Sequence, residues 1–221
     1  MERIKLFLFN RFHTIFPLVT ITAISLMLLM IRLKLTQSFF LLFLVWNLFL
    51  AAIPYFLSTY LSSYHKINKS WLLLCTAIWL AFLPNAPYIV TDFIHLTHLQ
   101  SHLKLLDFIL ISAFALSGLL CYVLSLNEMK QLLLQGFPSK WVRVFIFLVP
   151  FLCGFGIYLG RFLRWNSWDI LRHPEILFTD IWEILIMPWS HKGAWLVTIS
   201  FGIGLSLFQK GFNRIKIISR V

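Results

Sequence analysis

Six long apolar runs follow one another along the chain, separated by short stretches that hold most of the charged residues. They lie at about residues 15–31, 39–61, 71–90, 105–126, 142–160 and 194–209. Each run is close to the roughly 20 residues that a helix needs to cross a hydrocarbon core. The runs lack the strict alternation of apolar and polar positions that marks membrane β-strands. The pattern therefore predicts an all-α, polytopic transmembrane helix bundle with about six spans.

A seventh apolar segment, residues 176–187, differs from these six runs. It is shorter, and it contains Asp180 and Glu183. A short apolar segment with charges is typical of a helix that lies in the membrane interface rather than crossing it. The segment therefore predicts a short interfacial or re-entrant helix that ends at Pro188.

Composition supports a membrane location for the whole chain. Of its 221 residues, 60% are hydrophobic and 12% are charged, whereas a soluble domain has roughly 25% charged residues. A soluble fold of this size cannot bury so much apolar surface, so the surplus must face lipid. We therefore expect residues 1–221 to form a single integral membrane domain with the lipid bilayer as its main partner.

The net charge of +11 does not indicate a nucleic-acid partner. The 19 Lys and Arg residues are scattered between the apolar runs instead of forming one basic face, which favours anchoring against anionic lipid. Cytoplasmic loops carry an excess of Lys and Arg. With both termini inside, 12 of the 19 fall on the inner side. The distribution predicts a multi-pass protein of the cell (plasma) membrane with cytoplasmic N- and C-termini.

The first unusual motif is LPNAPYIVTDFIHL, residues 83–96, at the predicted outer end of the third span. Pro84 and Pro87 each lack a backbone donor and disfavour helix in the preceding residue. We therefore expect the third helix to be broken at Pro84/Pro87. Irregular backbone at membrane depth is tolerated where it is buried in protein or lines a cavity, and Asn85 and Thr91 are suited to satisfy the freed polar groups. A simple proline-ended helix is the alternative.

Four polar residues continue from this motif: Asp92, His95, His98 and His102. On a helix they share one stripe. Carboxylate and imidazole groups on one stripe suit zinc or another divalent metal, or a proton relay. The same spacing fits the solvated face of an interfacial helix, and the sequence identifies no cofactor.

The second motif is GRFLRWNSWD, residues 160–169, at the predicted outer end of the fifth span. Arg161 and Arg164 lie where positive charge is normally depleted. Pairing with Asp92 or Asp169 is one explanation, and a site for a phosphate or carboxylate is another, because the guanidinium binds both in a bidentate manner. An interfacial belt of Trp and Arg is a third.

The two motifs together resemble those of a bacterial family of uncharacterised multi-spanning membrane proteins, domain of unknown function 1361. The resemblance covers roughly residues 40–210. It implies an integral membrane protein and supplies no reaction. It also implies a family signature, which on this sequence comprises Asn85, Pro87, Tyr88, Asp92, His95, Gly160, Arg161, Arg164, Asn166 and Asp169.

Both motifs come out on one side of the membrane under the charge-derived topology. This predicts an outward-facing polar pocket for a small anionic molecule or a lipid headgroup, serving transport or lipid modification; whether the chain is an enzyme stays open. Its candidate residues are Asn85, Tyr88, Asp92, His95, Arg161, Arg164, Asn166 and Asp169. The alternative is a non-catalytic scaffold or assembly protein whose Asp–Arg pairs only lock helices together.

Overall fold

The computed structural model describes residues 2–64, 66–98 and 103–218, and all regular secondary structure in these ranges is helical. We number the α-helices in chain order: α1 (Glu2–Thr36), α2 (Phe43–Leu61), α3 (Lys69–Phe82), α4 (Asn85–Tyr88), α5 (Lys104–Gly136), α6 (Ser139–Arg161), α7 (Asp169–Arg172), α8 (Pro174–Ile186) and α9 (Lys192–Ile218). Two 3-10 segments, Phe40–Leu42 and Ile89–His98, precede α2 and follow α4. The predicted all-α fold is confirmed.

Five helical stretches of the described chain are long and apolar enough to cross a membrane. They are Ile15–Thr36, Phe40–Leu61, Lys69–Thr97, Lys104–Gly136 and Ser139–Arg161. Each coincides closely with one of the first five predicted runs. The sixth predicted run falls inside α9. Helix α9 is not among the stretches that are both long enough and apolar enough to cross a membrane. The protein is thus a multi-pass membrane protein, and the count of six spans stays a prediction.

Helix α5 lies at the centre of the bundle. In an apolar 18-residue stretch of its candidate span 72% of the residues are buried, against 22–39% in the corresponding stretches of the other four. It packs against α1, α2, α4, α6 and the 3-10 segment Ile89–His98. A helix surrounded by other helices is apolar on all sides, and α5 fits this description because it buries Leu110, Phe114 and Tyr122 among many others. Large apolar side chains elsewhere, such as Trp46 and Phe56, remain exposed and face lipid in a membrane.

The helical path of the third stretch changes at its two prolines. Helix α3 ends at Phe82, α4 spans four residues, and a 3-10 segment begins at Ile89. Whether these changes break the span inside the membrane stays a prediction. Backbone hydrogen bonding continues across the junction, because the amide of Tyr88 donates to the carbonyl of Pro84 (3.0 Å).

Two glycines allow neighbouring helices to approach the proline-containing turn, residues 83–88, closely. A Cβ on Gly118 of α5 would collide with the carbonyl oxygen of Ala86, and a Cβ on Gly156 of α6 would lie 2.5 Å from Cγ of Pro84. Small residues at helix contacts let backbones approach one another in membranes. The turn is therefore held between α5 and α6, and this position determines which side chains meet around it.

The segment predicted as an interfacial helix, residues 176–187, corresponds to α8 (Pro174–Ile186). The helix begins with proline at its first turn, where no backbone donor is lost. Of its residues, Leu177 and Ile184 are buried. Its 13 residues rise about 20 Å, less than the hydrocarbon thickness, and its depth in the bilayer stays a prediction.

Candidate functional site

The two sequence motifs meet in an ion pair between Asp92 and Arg161. A terminal guanidinium nitrogen of Arg161 donates to Oδ1 of Asp92. Only 1% of the Asp92 side chain and 18% of the Arg161 side chain are exposed. Asp92 lies in the 3-10 segment after α4, and Arg161 is the last residue of α6. Helix α6 thus ends where the positive charge of Arg161 neutralises the buried carboxylate of Asp92.

Three further side chains complete the surroundings of this pair. The amide nitrogen of Asn47 on α2 donates to the second carboxylate oxygen of Asp92 (2.9 Å). Nε of Arg161 donates to the hydroxyl of Thr91 (2.8 Å). The Arg161 guanidinium also lies over the Tyr88 ring, with 4.4 Å between its central carbon and the ring centroid, a cation–π arrangement. Both charges therefore have partners on several elements, which a buried ion pair requires.

The polar side chains of the turn satisfy its freed backbone carbonyls. The amide nitrogen of Asn85 donates to the carbonyl of Phe82 (3.0 Å) and to the hydroxyl of Ser167 (3.1 Å). The hydroxyl of Thr91 donates to the carbonyl of Tyr88 (2.7 Å). This is the role that the sequence predicts for Asn85 and Thr91. The contact with Ser167 also joins the first motif to the loop after α6.

A cavity of about 190 Å³ lies beside the ion pair. Its polar wall consists of neutral groups from both motifs and from α2, namely Asn47, Asn85, Tyr88, Asn166 and Ser167. Its apolar wall includes three indole rings, those of Trp46, Trp165 and Trp168. Asp92 and Arg161 do not line this cavity themselves. They contact it through Asn47 and Tyr88, which touch both the pair and the cavity.

The loop after α6 turns back over the cavity at Arg164. This residue has a left-handed backbone conformation (φ 61°), which is uncommon for a residue with a side chain. The turn brings the amide of Trp165 within 3.1 Å of the carbonyl of Leu159. The indole nitrogen of Trp165 donates to Asp180 of α8 (2.8 Å). The side chain of Arg164 is exposed, and it forms no ion pair within the described residues.

Asp169 holds the loop together rather than pairing with an arginine. One of its carboxylate oxygens accepts from the backbone amide of Asn166 (2.7 Å) and from the Asn166 side chain (3.3 Å). Asp169 is also the first residue of α7, where a carboxylate interacts favourably with the helix dipole. Of the two partners considered from the sequence, Asp92 is the one that Arg161 binds.

The family comparison agrees with these motifs. The family model described as "Protein of unknown function (DUF1361)" matches residues 46–208. The chain belongs to this family. No curated protein and no solved structure was found to match it. The matched range includes the ion pair, the whole cavity lining and α8, whereas α1 precedes it.

The predicted metal stripe is only partly described in this DUF1361 structure. Asp92 is engaged by Arg161 and Asn47. The His95 ring lies edge-on to Phe43, with 5.0 Å between the ring centroids. The described residues contain no group of three His, Cys, Asp or Glu side chains that suits a metal ion. The side chain of His98 and all of His102 lie outside the described residues, so metal binding stays a prediction.

A second buried ion pair in this DUF1361 protein was not foreseen from the sequence. Nε of Arg32 on α1 donates to Oδ1 of Asp107 in the first turn of α5 (3.0 Å), and both side chains are buried. Arg32 also donates to the Thr36 hydroxyl (2.9 Å) and to the Ser38 carbonyl (3.2 Å). The sequence did hold one indication of this pair, because Arg32 and Asp107 both lie at the predicted outer ends of apolar runs.

Proposed function

We propose that the cavity is a ligand site on the outer face of the cell membrane, with both termini of the chain in the cytoplasm. Its ligand carries a phosphate or carboxylate group, as part of either a small anionic molecule or a lipid headgroup. Transport and lipid modification are both consistent with such a site. The observation that carries the proposal is that residues of two distant motifs, Asn85 with Tyr88 and Asn166 with Ser167, line one cavity.

The chemistry of the lining suits the polar part of an amphiphile. Amide and hydroxyl groups on one wall hydrogen-bond a headgroup, and the indole rings of Trp46, Trp165 and Trp168 supply an amphipathic wall. Small-molecule sites combine a mostly apolar surface with a few polar groups in this manner. Tryptophan is also the residue that favours headgroup depth in a bilayer.

Arg164 is the residue that we assign to the anionic group. Arg161 is already neutralised by Asp92, so its charge is not free for a ligand. Arg164 is exposed, has no ion pair among the described residues, and directly precedes the cavity residue Trp165. A guanidinium binds phosphate and carboxylate through two parallel hydrogen bonds.

The indole rings in the cavity wall provide the assay. Purified protein in a neutral detergent is titrated with short-chain phosphatidylglycerol and, in a separate arm, with glycerol phosphate, while tryptophan emission is recorded. We expect one of the two probes to change the emission saturably. A response to the lipid alone assigns a headgroup, and a response to glycerol phosphate assigns a small anion.

Arg164→Asn is the informative variant, because asparagine tolerates the left-handed backbone but carries no charge. We expect probe binding about tenfold weaker or worse, since a hydrogen bond to a charged group is worth about 1.5–3 kcal/mol. Arg172→Asn is the matched control, as Arg172 is an exposed arginine at the end of α7, outside the cavity wall. Equal binding by wild type and Arg164→Asn contradicts the proposal.

The non-catalytic scaffold is the second candidate, and the satisfied state of the ion pair favours it. Both charges are occupied by partners of this chain, and the contacts tie α2, the turn and α6 together. Substitution separates the two functions. Normal membrane abundance of His95→Ala with a lost cellular phenotype favours the ligand site. Depletion of His95→Ala from the membrane, as expected for Asp92→Asn under either function, favours the scaffold.

A further inference from the structure

A second cavity, of about 230 Å³, lies at the opposite end of the bundle between α5, α6 and α9. Its position follows from helix geometry. Asp107 and Lys130 are 23 residues apart on α5, which corresponds to about 35 Å at 1.5 Å per residue. That distance is about the thickness of a hydrocarbon core. This second cavity and the ion pairs of Arg32 and Arg161 therefore lie near opposite faces of the membrane.

Positively charged side chains line the walls of this second cavity. Three cations line it, Lys130, Arg143 and Lys210, together with the neutral polar residues Ser206, Gln209 and Asn213. We call this set the basic pocket. No carboxylate belongs to its lining, and none of its three cations forms an ion pair within the described residues. The nearest acidic residue on α5 in sequence, Glu128, is engaged by the hydroxyls of Ser58 and Thr59 on α2.

The basic pocket continues into an apolar surface toward the middle of the membrane. Arg143 and Phe147 are four residues apart on α6 and therefore share a face. Phe147 lines the same cavity and is 66% exposed. Ile146 and Pro150 complete the apolar wall. The three cations match the charged headgroup of a phospholipid, and the exposed aromatic surface toward the middle of the membrane matches its acyl chains.

We propose that the basic pocket binds the phosphate headgroup of an anionic phospholipid, whose acyl chains lie along α6 beside Phe147. Basic pockets between membrane helices are a recurrent means of binding such headgroups. The Nε donor of Arg143 is within 3.3 Å of the Ser139 carbonyl, so its terminal nitrogens are left to bind phosphate. The site is independent of the outer cavity, because the two share no lining residue.

The test measures binding of phosphatidylglycerol to the purified full-length protein in a neutral detergent by native mass spectrometry. Phosphatidylcholine and glycerol phosphate serve as the comparison probes. We expect phosphatidylglycerol to remain bound, and the other two to bind at least tenfold more weakly. Equal retention of phosphatidylcholine overturns the proposal, and so does equal retention of glycerol phosphate, which lacks acyl chains.

The double variant Arg143→Gln/Lys210→Gln tests the assigned residues. Each charge near a lipid surface is worth about 1 kcal/mol, so phosphatidylglycerol should bind about thirtyfold more weakly. Lys66→Gln/Lys140→Gln is the matched control, because both lysines are exposed and outside the pocket lining. We expect this control to retain wild-type binding.

Three results of the variant comparison have defined meanings. Wild-type binding of phosphatidylglycerol by the pocket double variant overturns the proposal. An equal loss of binding in the control variant also overturns it, because net charge would then be the cause. Arg164→Asn in the same assay distinguishes the two sites. If Arg164→Asn loses phosphatidylglycerol binding and the pocket double variant does not, the lipid is assigned to the outer cavity.

Discussion

Asp92 and Arg161 form an ion pair across 69 positions of sequence, and 1% of the Asp92 side chain is exposed. Each partner lies near the end of a candidate membrane span, where an unpaired charge is costly. The ion pair thus fixes the position of α6 relative to the 3-10 segment after α4.

Removing one partner of this pair should cost more than removing both. Asp92→Asn leaves the Arg161 charge with little compensation, and Arg161→Met leaves the Asp92 carboxylate buried without a cation. We expect each single variant to lose about 3–5 kcal/mol of unfolding free energy. The double variant should lose less than the sum of the two. Unfolding by dodecyl sulfate in mixed micelles measures the cycle, with Asp169→Asn as a control outside the pair. Additive losses would show that the two side chains are not coupled.

Gly118 should not tolerate a larger side chain, because its Cα faces the carbonyl oxygen of Ala86 without room for a Cβ. We expect Gly118→Ala to lower the unfolding free energy by about 1–3 kcal/mol through overpacking. The matched control is Gly204→Ala on α9, where an added Cβ has no neighbour within 4 Å. That substitution should be neutral or slightly stabilising, since alanine has the higher helix propensity. Equal stability of the two variants would contradict the close approach of α5 to the turn.

The Arg32–Asp107 pair should respond asymmetrically to substitution. Asp107→Asn preserves an oxygen that accepts from Arg32, and Arg32 retains its contacts to Thr36 and Ser38. Arg32→Met leaves the Asp107 carboxylate buried, with its second oxygen already lacking a partner in the described structure. We therefore expect the larger loss of thermal stability from Arg32→Met, measured on purified protein in detergent. A larger loss from Asp107→Asn would refute this assignment of the charges.

The predicted topology is testable with two introduced cysteines. Thr97 is exposed after α4, and Lys140 is exposed at the start of α6. The three native cysteines are buried and free, which keeps background labelling low. An impermeant thiol reagent should label Thr97→Cys in intact cells and Lys140→Cys only after the membrane is permeabilised. The reverse labelling pattern would invert the orientation.

Part of the candidate site was accessible from the sequence, and part was not. Asp92 and Arg161 are recognisable because ionisable residues at the ends of apolar runs are rare and need a partner. Their pairing was one of two alternatives, since Asp169 lies closer to Arg161 along the chain. The role of Asn47 as a donor to Asp92 was not assigned, because nothing in α2 itself indicates which element faces it.

The pattern of apolar runs along the chain is enough to identify a helical membrane protein. The length and apolarity of each run are local properties, and a helix in lipid satisfies its own backbone hydrogen bonds. Which charges meet depends on how the helices pack. Arg161 and Arg164 are alike in sequence, yet Arg161 ends α6 against Asp92 while the left-handed turn at Arg164 leaves its side chain exposed. The reason is the close packing at Gly118 and Gly156, because the relative position of two helices depends on contacts between residues far apart in the chain.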